Sequence, residues 1–268
     1  MTENANICIK PTWRKIRQAA YAKRYMREMI IDIDNRESVK AAMEDISSDW
    51  FNPAEIYAGL KTDGKTDSSG FWGETAHMLT DISGYIGLTS TQFMDKWDKK
   101  CIDNDTKLMG YHCTRHSDKH IFLKKGILPL SEETVRLSDD NSQTAYGKMV
   151  SEYRFQRSPG PCFFLSYKSA KKPDNHFCIY GPEILIGCVG HHIGVNPTKS
   201  VPLIIHCAIP YSLLSEKDYF AFCVLHAYFN FLDPEDDSGN LFDGYSIDLR
   251  GKALNPQHIV SIEEGPII

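Results

Sequence analysis

Residues 219–231, Tyr-Phe-Ala-Phe-Cys-Val-Leu-His-Ala-Tyr-Phe-Asn-Phe, would place apolar or aromatic side chains on nearly every side of a helix. A helix without a polar face has to be enclosed by other elements. The remainder of the chain must therefore fold around this segment. With 268 residues, 42% hydrophobic and 24% charged, it has the composition of an ordinary globular protein and the length for one large domain or two modest ones. No apolar run approaches the length of a bilayer crossing. Residues 1–9 lack the charged and apolar regions of a secretory signal. The expected location is cytoplasmic, with no membrane partner.

The local signals divide the chain near residue 105. Residues 1–105 are expected to be a helical region. Asp34 or Asn35 caps a helix through Val39, Ala42, Met43 and Ile46, and Asn52-Pro53 starts another toward Leu60. A third runs over 73–83, and Thr89 or Ser90 caps one through Phe93, Met94 and Trp97. Residues 106–268 change to short strand-type runs, at 108–113, 162–167, 176–180, 203–209, 245–249 and 259–262, with helices at 182–188 and 219–231. Irregular interleaving of strands and helices predicts an α+β fold with a mixed or antiparallel sheet. The polar segment 131–159 reads either as a flap over a cleft or as a surface insertion.

The eight cysteines are scattered, mostly in apolar segments, and form no Cys-x-x-Cys pair, so buried reduced thiols are expected. His191 and His192 stand beside Cys188 without a second ligand pair, and no metal is expected. Lys10, Arg14, Lys15, Arg17, Lys23, Arg24 and Arg27 crowd one helical segment in a chain of net charge -5, interleaved with Trp13, Tyr21 and Tyr25. Such a helix suits RNA or DNA contact. It equally suits a solvated face or the docking of an acidic partner.

The candidate site starts at Tyr111-His112-Cys113-Thr114-Arg115, read as a buried strand that carries His112 to its end. A short helix over 117–125 and a glycine stop at Gly126 follow. Alternation along a strand sends His112 and Cys113 to opposite faces, which excludes a Cys-His dyad between them. No Gly-x-Ser-x-Gly elbow is present.

The run from Tyr111 to Arg115, with Gly126-Ile127-Leu128 after it, resembles the first nicotinamide-binding strand of the ADP-ribosyltransferases of the poly(ADP-ribose) polymerase and diphtheria-toxin type. Cys113 stands where that family usually has glycine. Gly160-Pro161-Cys162-Phe163-Phe164-Leu165-Ser166-Tyr167-Lys168-Ser169-Ala170 looks like the family's second strand and the segment after it. The resemblance spans about residues 108–265. It implies a split-sheet ADP-ribosyltransferase-like domain over 106–268 that uses NAD as co-substrate.

On that resemblance His112 bonds the adenosine-side ribose and the Cys113 backbone holds the nicotinamide amide. Thr114 and Arg115 support the strand end or contact phosphate or ribose. Phe163, in the usual tyrosine position, or Tyr167 stacks on nicotinamide, and Ser169 bonds its amide. Glu183, at a strand-to-helix turn, is the expected catalytic acid with His112, and Asp243 is its rival. The implied activity is mono-ADP-ribosyl transfer from NAD to a macromolecule, nucleic acid (RNA or DNA through 10–27) or protein. A bacterial or phage-defence toxin of this kind would have an antitoxin partner. An NAD glycohydrolase and a catalytically inactive binding module of the same fold are the alternatives.

Overall fold

The computed structural model describes residues 29–129, 160–172, 200–233 and 245–266. Outside them lie the basic segment 10–27, the polar segment 131–159, the elements expected at 176–180 and 182–188, the Cys188–His192 group, Glu183 and Asp243.

The described residues form an α+β fold with a six-stranded mixed sheet. Five strands run in the order β5 (Ser246–Asp248), β3 (Cys162–Phe164), β2 (Lys107–His116), β4 (Val201–Pro210) and β6 (Ile259–Glu264), each antiparallel to its neighbour. β1 (Ile30–Ile31) joins β2 in parallel, with Ile30 opposite Lys107 and Ile31 opposite Leu108. Because β4 pairs along one whole edge of β2, β1 and β3 share the other edge.

Eight helices are described: α1 (Arg36–Ser47), α2 (Pro53–Thr62), α3 (Ser69–Gly73), α4 (Thr75–Tyr85), α5 (Ser90–Asp103), α6 (His120–Lys125), α7 (Tyr167–Ala170) and α8 (Lys217–Leu232). Their starts follow from side-chain chemistry. The Asn35 side chain accepts from the Ser38 N–H, Asn52 accepts from the Ala54 and Glu55 N–H groups with Pro53 next in line, and Thr89 and Gln92 make a reciprocal capping box.

The apolar α8 is enclosed as its composition demands, with Phe220, Ala221, Cys223, Val224, Leu225, His226, Ala227 and Phe229 at 0% exposure. One hydrophobic cluster joins it to α1, α2, α4 and α5, and to Leu108, Phe163, Ile205, Cys207 and Ile209 on one face of the sheet. Residues on both sides of position 105 thus share one core. On the opposite face a smaller cluster gathers Ile30, Met109, Tyr111, Cys113, Ala170, Ile204 and Ala208. The first is the helix face of the sheet and the second, onto which Ala170 packs, is its α7 face.

Three local expectations differ from the structure. Ile30–Ile31, within the region expected to be helical, is a strand, because the β2 edge supplies partners that a two-residue apolar run does not announce. The strand expected over 162–167 ends at Phe164 and α7 begins at Tyr167, since the Ser166 hydroxyl accepts from the Ser169 N–H and caps a helical turn. The helix expected over 117–125 begins at His120, because His116 Nδ1 accepts from the Asp118 N–H and the Asp118 carboxylate accepts from the His120 N–H. That helix stops at Gly126, whose φ of 76° is in the left-handed region. A Cβ at Gly126 would lie 2.0 Å from the Leu254 carbonyl oxygen, so the close approach of the 254–255 backbone also requires glycine.

Candidate functional site

β2 delivers the first motif. Strand alternation puts His112 and Thr114 on the helix face and Tyr111, Cys113 and Arg115 on the α7 face. The contacts agree: the His112 ring lies 5.5 Å from the ring of core residue Phe163, while Cys113 Sγ lies 3.6 Å from the Ala170 carbonyl in α7. Pairing between β2 and β3 is confined to Tyr111 opposite Phe164. One step further along, the His112 side chain bridges to β3, with Nδ1 2.9 Å from the Cys162 carbonyl oxygen.

That bridge determines the chemistry of the imidazole. A carbonyl only accepts, so Nδ1 carries the proton and the neutral ring presents a lone pair at Nε2. Burial holds the His112 pKa below the ordinary histidine value, with the Cys162 carbonyl opposing the shift. Among the described residues no hydrogen-bond partner meets Nε2. The half-buried ring is therefore prepared to accept a hydrogen bond from a hydroxyl.

The other expected residues are distributed as follows. Phe163 is fully buried at 0% exposure, and Thr114 is buried. Arg115 reaches the start of β4, donating from Nε to the Ser200 hydroxyl at 3.2 Å and from Nη2 to the Ser200 carbonyl at 2.7 Å. Ser169 is buried in α7. Tyr167 lies on the α7 face, its ring 5.4 Å from Tyr111 and 5.3 Å from His206. The sheet thus brings His112 together with Phe163 and Cys162, and places Tyr167 on the other side.

A polar cluster on the α7 face involves residues that the sequence reading did not single out. The Tyr167 hydroxyl donates to Glu263 Oε1 at 2.6 Å, and the Lys171 ammonium donates to the Tyr167 hydroxyl at 3.2 Å. His206 Nε2 lies 3.6 Å from the same Glu263 oxygen. Sheet register explains the meeting: Tyr111 stands directly opposite His206, and Ile204, two residues from His206, stands opposite Glu263. Burial raises the Tyr167 pKa, with Glu263 adding to the shift, and lowers that of His206 against the pull of Glu263. Lys171 is held above its ordinary value by the Tyr167 hydroxyl. The signal available in the sequence was His206 itself, a polar residue in the otherwise apolar run Leu203-Ile204-Ile205-His206-Cys207-Ala208-Ile209.

Beside this cluster the β1–α1 connection contributes Asp32 and Asp34. The Tyr111 hydroxyl is 3.5 Å from Asp32 Oδ1. Burial, then repulsion from Asp34, raises the Asp32 pKa to about 6. Among the described residues no group of three or more His, Cys, Asp or Glu side chains could hold a metal ion, and no helix is long and apolar enough to cross a membrane.

Comparisons of the chain with protein-family models, with curated proteins and with solved structures find no match.

Proposed function

We propose that this protein binds NAD at the β2–β3 junction and transfers its ADP-ribosyl group to a macromolecular acceptor. The observation that carries the reading is the His112–Cys162 bridge. It brings the two segments that resemble the ADP-ribosyltransferase motifs together as neighbouring strands from 50 residues apart, and it leaves the His112 Nε2 lone pair available to a ribose hydroxyl.

The reaction asks little covalent chemistry of the protein. The bond between nicotinamide nitrogen and ribose C1′ breaks with its electron pair passing to the ring, which leaves as neutral nicotinamide. The ribosyl oxocarbenium ion is then captured by the acceptor, whose proton passes to a base. Orientation of the dinucleotide, held through its adenosine-side ribose, and stabilisation of the developing positive charge supply most of the rate. His112 performs the first task, and Glu183, with Asp243 as rival, is the carboxylate proposed for the second. Ser169 at the end of α7 is the proposed partner of the nicotinamide amide.

Nucleic acid is the proposed acceptor that the basic segment 10–27 favours, with protein as the other class; a toxin role with an antitoxin partner belongs to the same reading. A second reading, a binding module that has lost the reaction, is favoured by two observations. Phe163 is enclosed in the core, and Tyr167 stands on the face opposite His112.

Incubation with NAD labelled in its adenylate half, in turn with RNA, DNA and cell extract, tests these readings. Transfer of label that is lost in His112→Ala and Glu183→Gln supports the transferase. Free nicotinamide without transfer supports a glycohydrolase, and NAD binding without either product supports the module. Absence of both binding and products ends the NAD reading.

A further inference from the structure

We propose that Asp34 is the positioning residue for α7, and so for the second motif of the proposed NAD site; the functional part of this inference rests on the NAD reading. One carboxylate oxygen, Asp34 Oδ2, receives three donors from the start of α7: the Tyr167 N–H at 2.6 Å, the Ser166 hydroxyl at 3.2 Å and, more weakly, the Lys168 N–H at 3.4 Å. Ser166 is 132 residues from Asp34 in sequence. The contact is therefore a long-range clasp between the β1–α1 connection and the segment after β3.

The topology explains why the two segments meet. β1 runs parallel to β2 and β3 antiparallel to it along the same edge, so the chain leaves each strand toward the same stretch of β2. From there α1 packs into the helix-face core, whereas α7 turns onto the other face, with Ala170 in the smaller cluster. Asp34 stands at this divergence and is itself fixed. Its N–H donates to Asp32 Oδ1 at 3.2 Å, the Asn35 N–H donates to the Asp32 carbonyl at 3.0 Å, and Asn35 caps α1.

The clasp matters because α7 has only four residues. A single turn fixes several backbone dihedrals for very few internal hydrogen bonds and does not hold its own position. A carboxylate on its first N–H groups satisfies donors that have no partner within the helix and complements the positive end of the helix dipole. Toward the other end of α7, Cys113 Sγ lies 3.6 Å from the Ala170 carbonyl, and the Tyr167 hydroxyl is tied to Glu263. Losing Asp34 would free the backbone that places Ser169.

Asp34→Ala and Asp34→Asn test the assignment. Asparagine keeps an acceptor oxygen and is a good cap, so it should restore what alanine loses. In Asp34→Ala, amide exchange at Tyr167 and Lys168 should accelerate about tenfold or more while β4 amides stay at wild-type protection, and KM for NAD should rise about tenfold with kcat changed far less. Asp34→Asn should lie near wild type in both. Unchanged exchange in Asp34→Ala overturns the clasp. Wild-type KM for NAD in Asp34→Ala, from a protein that turns over NAD, overturns the positioning role and leaves the NAD reading standing. A wild-type protein that neither binds nor cleaves NAD overturns both, a result distinguishable because it appears without any variant.

Discussion

The two faces of the central sheet obey different physics. On the helix face, Leu108, Phe163, Ile205, Cys207 and Ile209 meet the side chains of α1, α2, α4, α5 and α8 in one apolar core. On the α7 face, Tyr111, Tyr167, His206, Glu263 and Lys171 are joined by hydrogen bonds and ring contacts, with His206 Nε2 3.6 Å from Glu263 Oε1. The first face dictates that the chain folds. The second holds shifted ionisable groups at partial burial, an arrangement that costs stability and is enriched at functional sites. His112 joins the two regimes, since its ring packs beside core residue Phe163 while its polar edge bridges adjacent strands.

Truncation of the helix-face core should produce the largest effect. Trp97 is fully buried, its ring 6.5 Å from Phe220 of α8 and 5.9 Å from Phe93. Trp97→Ala is expected to cost about 3–5 kcal/mol in denaturant unfolding. A loss below about 1 kcal/mol would mean that this core does not dominate stability.

Gly126→Ala should follow. The left-handed φ and the 2.0 Å approach to the Leu254 oxygen both oppose a Cβ, and a loss of about 1–3 kcal/mol is expected by thermal melting. A variant as stable as wild type would show that the 126–127 and 254–255 backbones are not locked together.

The faces should also respond oppositely to pH. Burial lowers the pKa of His226, which sits in the helix-face core paired with the Tyr245 hydroxyl, to about 4 from 6.5. Between those values the unfolded chain binds more protons, so the contribution of His226 to stability rises with pH. Asp32, beside Tyr111 on the α7 face, is raised from 3.8 to about 6. There the folded state binds more protons, so its contribution falls as pH rises through the same window. His226→Gln should remove the rising component and Asp32→Asn the falling one when unfolding free energy is measured from pH 4 to 7. Identical pH profiles for both variants and wild type would contradict the difference.

The smallest effect is expected on the α7 face. Tyr167→Phe keeps the ring and removes the hydroxyl between Glu263 and Lys171, for a cost of about 1 kcal/mol. A loss as large as that of Trp97→Ala would erase the distinction between the faces.

What could be read from the sequence follows the range of the interactions. The buried helix around residues 219–231, the caps at Asn35, Asn52 and Thr89, and the glycine stop at Gly126 are written within a few residues and appear where expected. β2 and β4 were visible as apolar runs, although each extends further once the other supplies hydrogen bonds along its length. β1 was not visible, because two isoleucines become a strand only against β2. The 162–167 run looked uniformly strand-like because the carboxylate that helps turn its end into α7 belongs to Asp34, far away in sequence.

The same distinction holds at the site. His112 could be read as a strand residue, although it stands inside β2 and not at its end, because pairing with β4 carries the strand on to His116. The opposite facing of His112 and Cys113 follows from alternation alone. The partnership of Tyr167, His206 and Glu263 depends on the β2–β4–β6 register, including the irregularity at His206/Cys207, which no local pattern encodes. Glu183 and Asp243, named from the resemblance, lie outside the described residues.

The most direct test of the functional account is equilibrium NAD binding by wild type and His112→Ala, measured side by side by calorimetry. A hydroxyl held by the His112 Nε2 lone pair predicts that wild type binds NAD and that the alanine variant binds at least about tenfold more weakly while remaining folded. Equal affinity in the two proteins, or no binding by wild type, would contradict it.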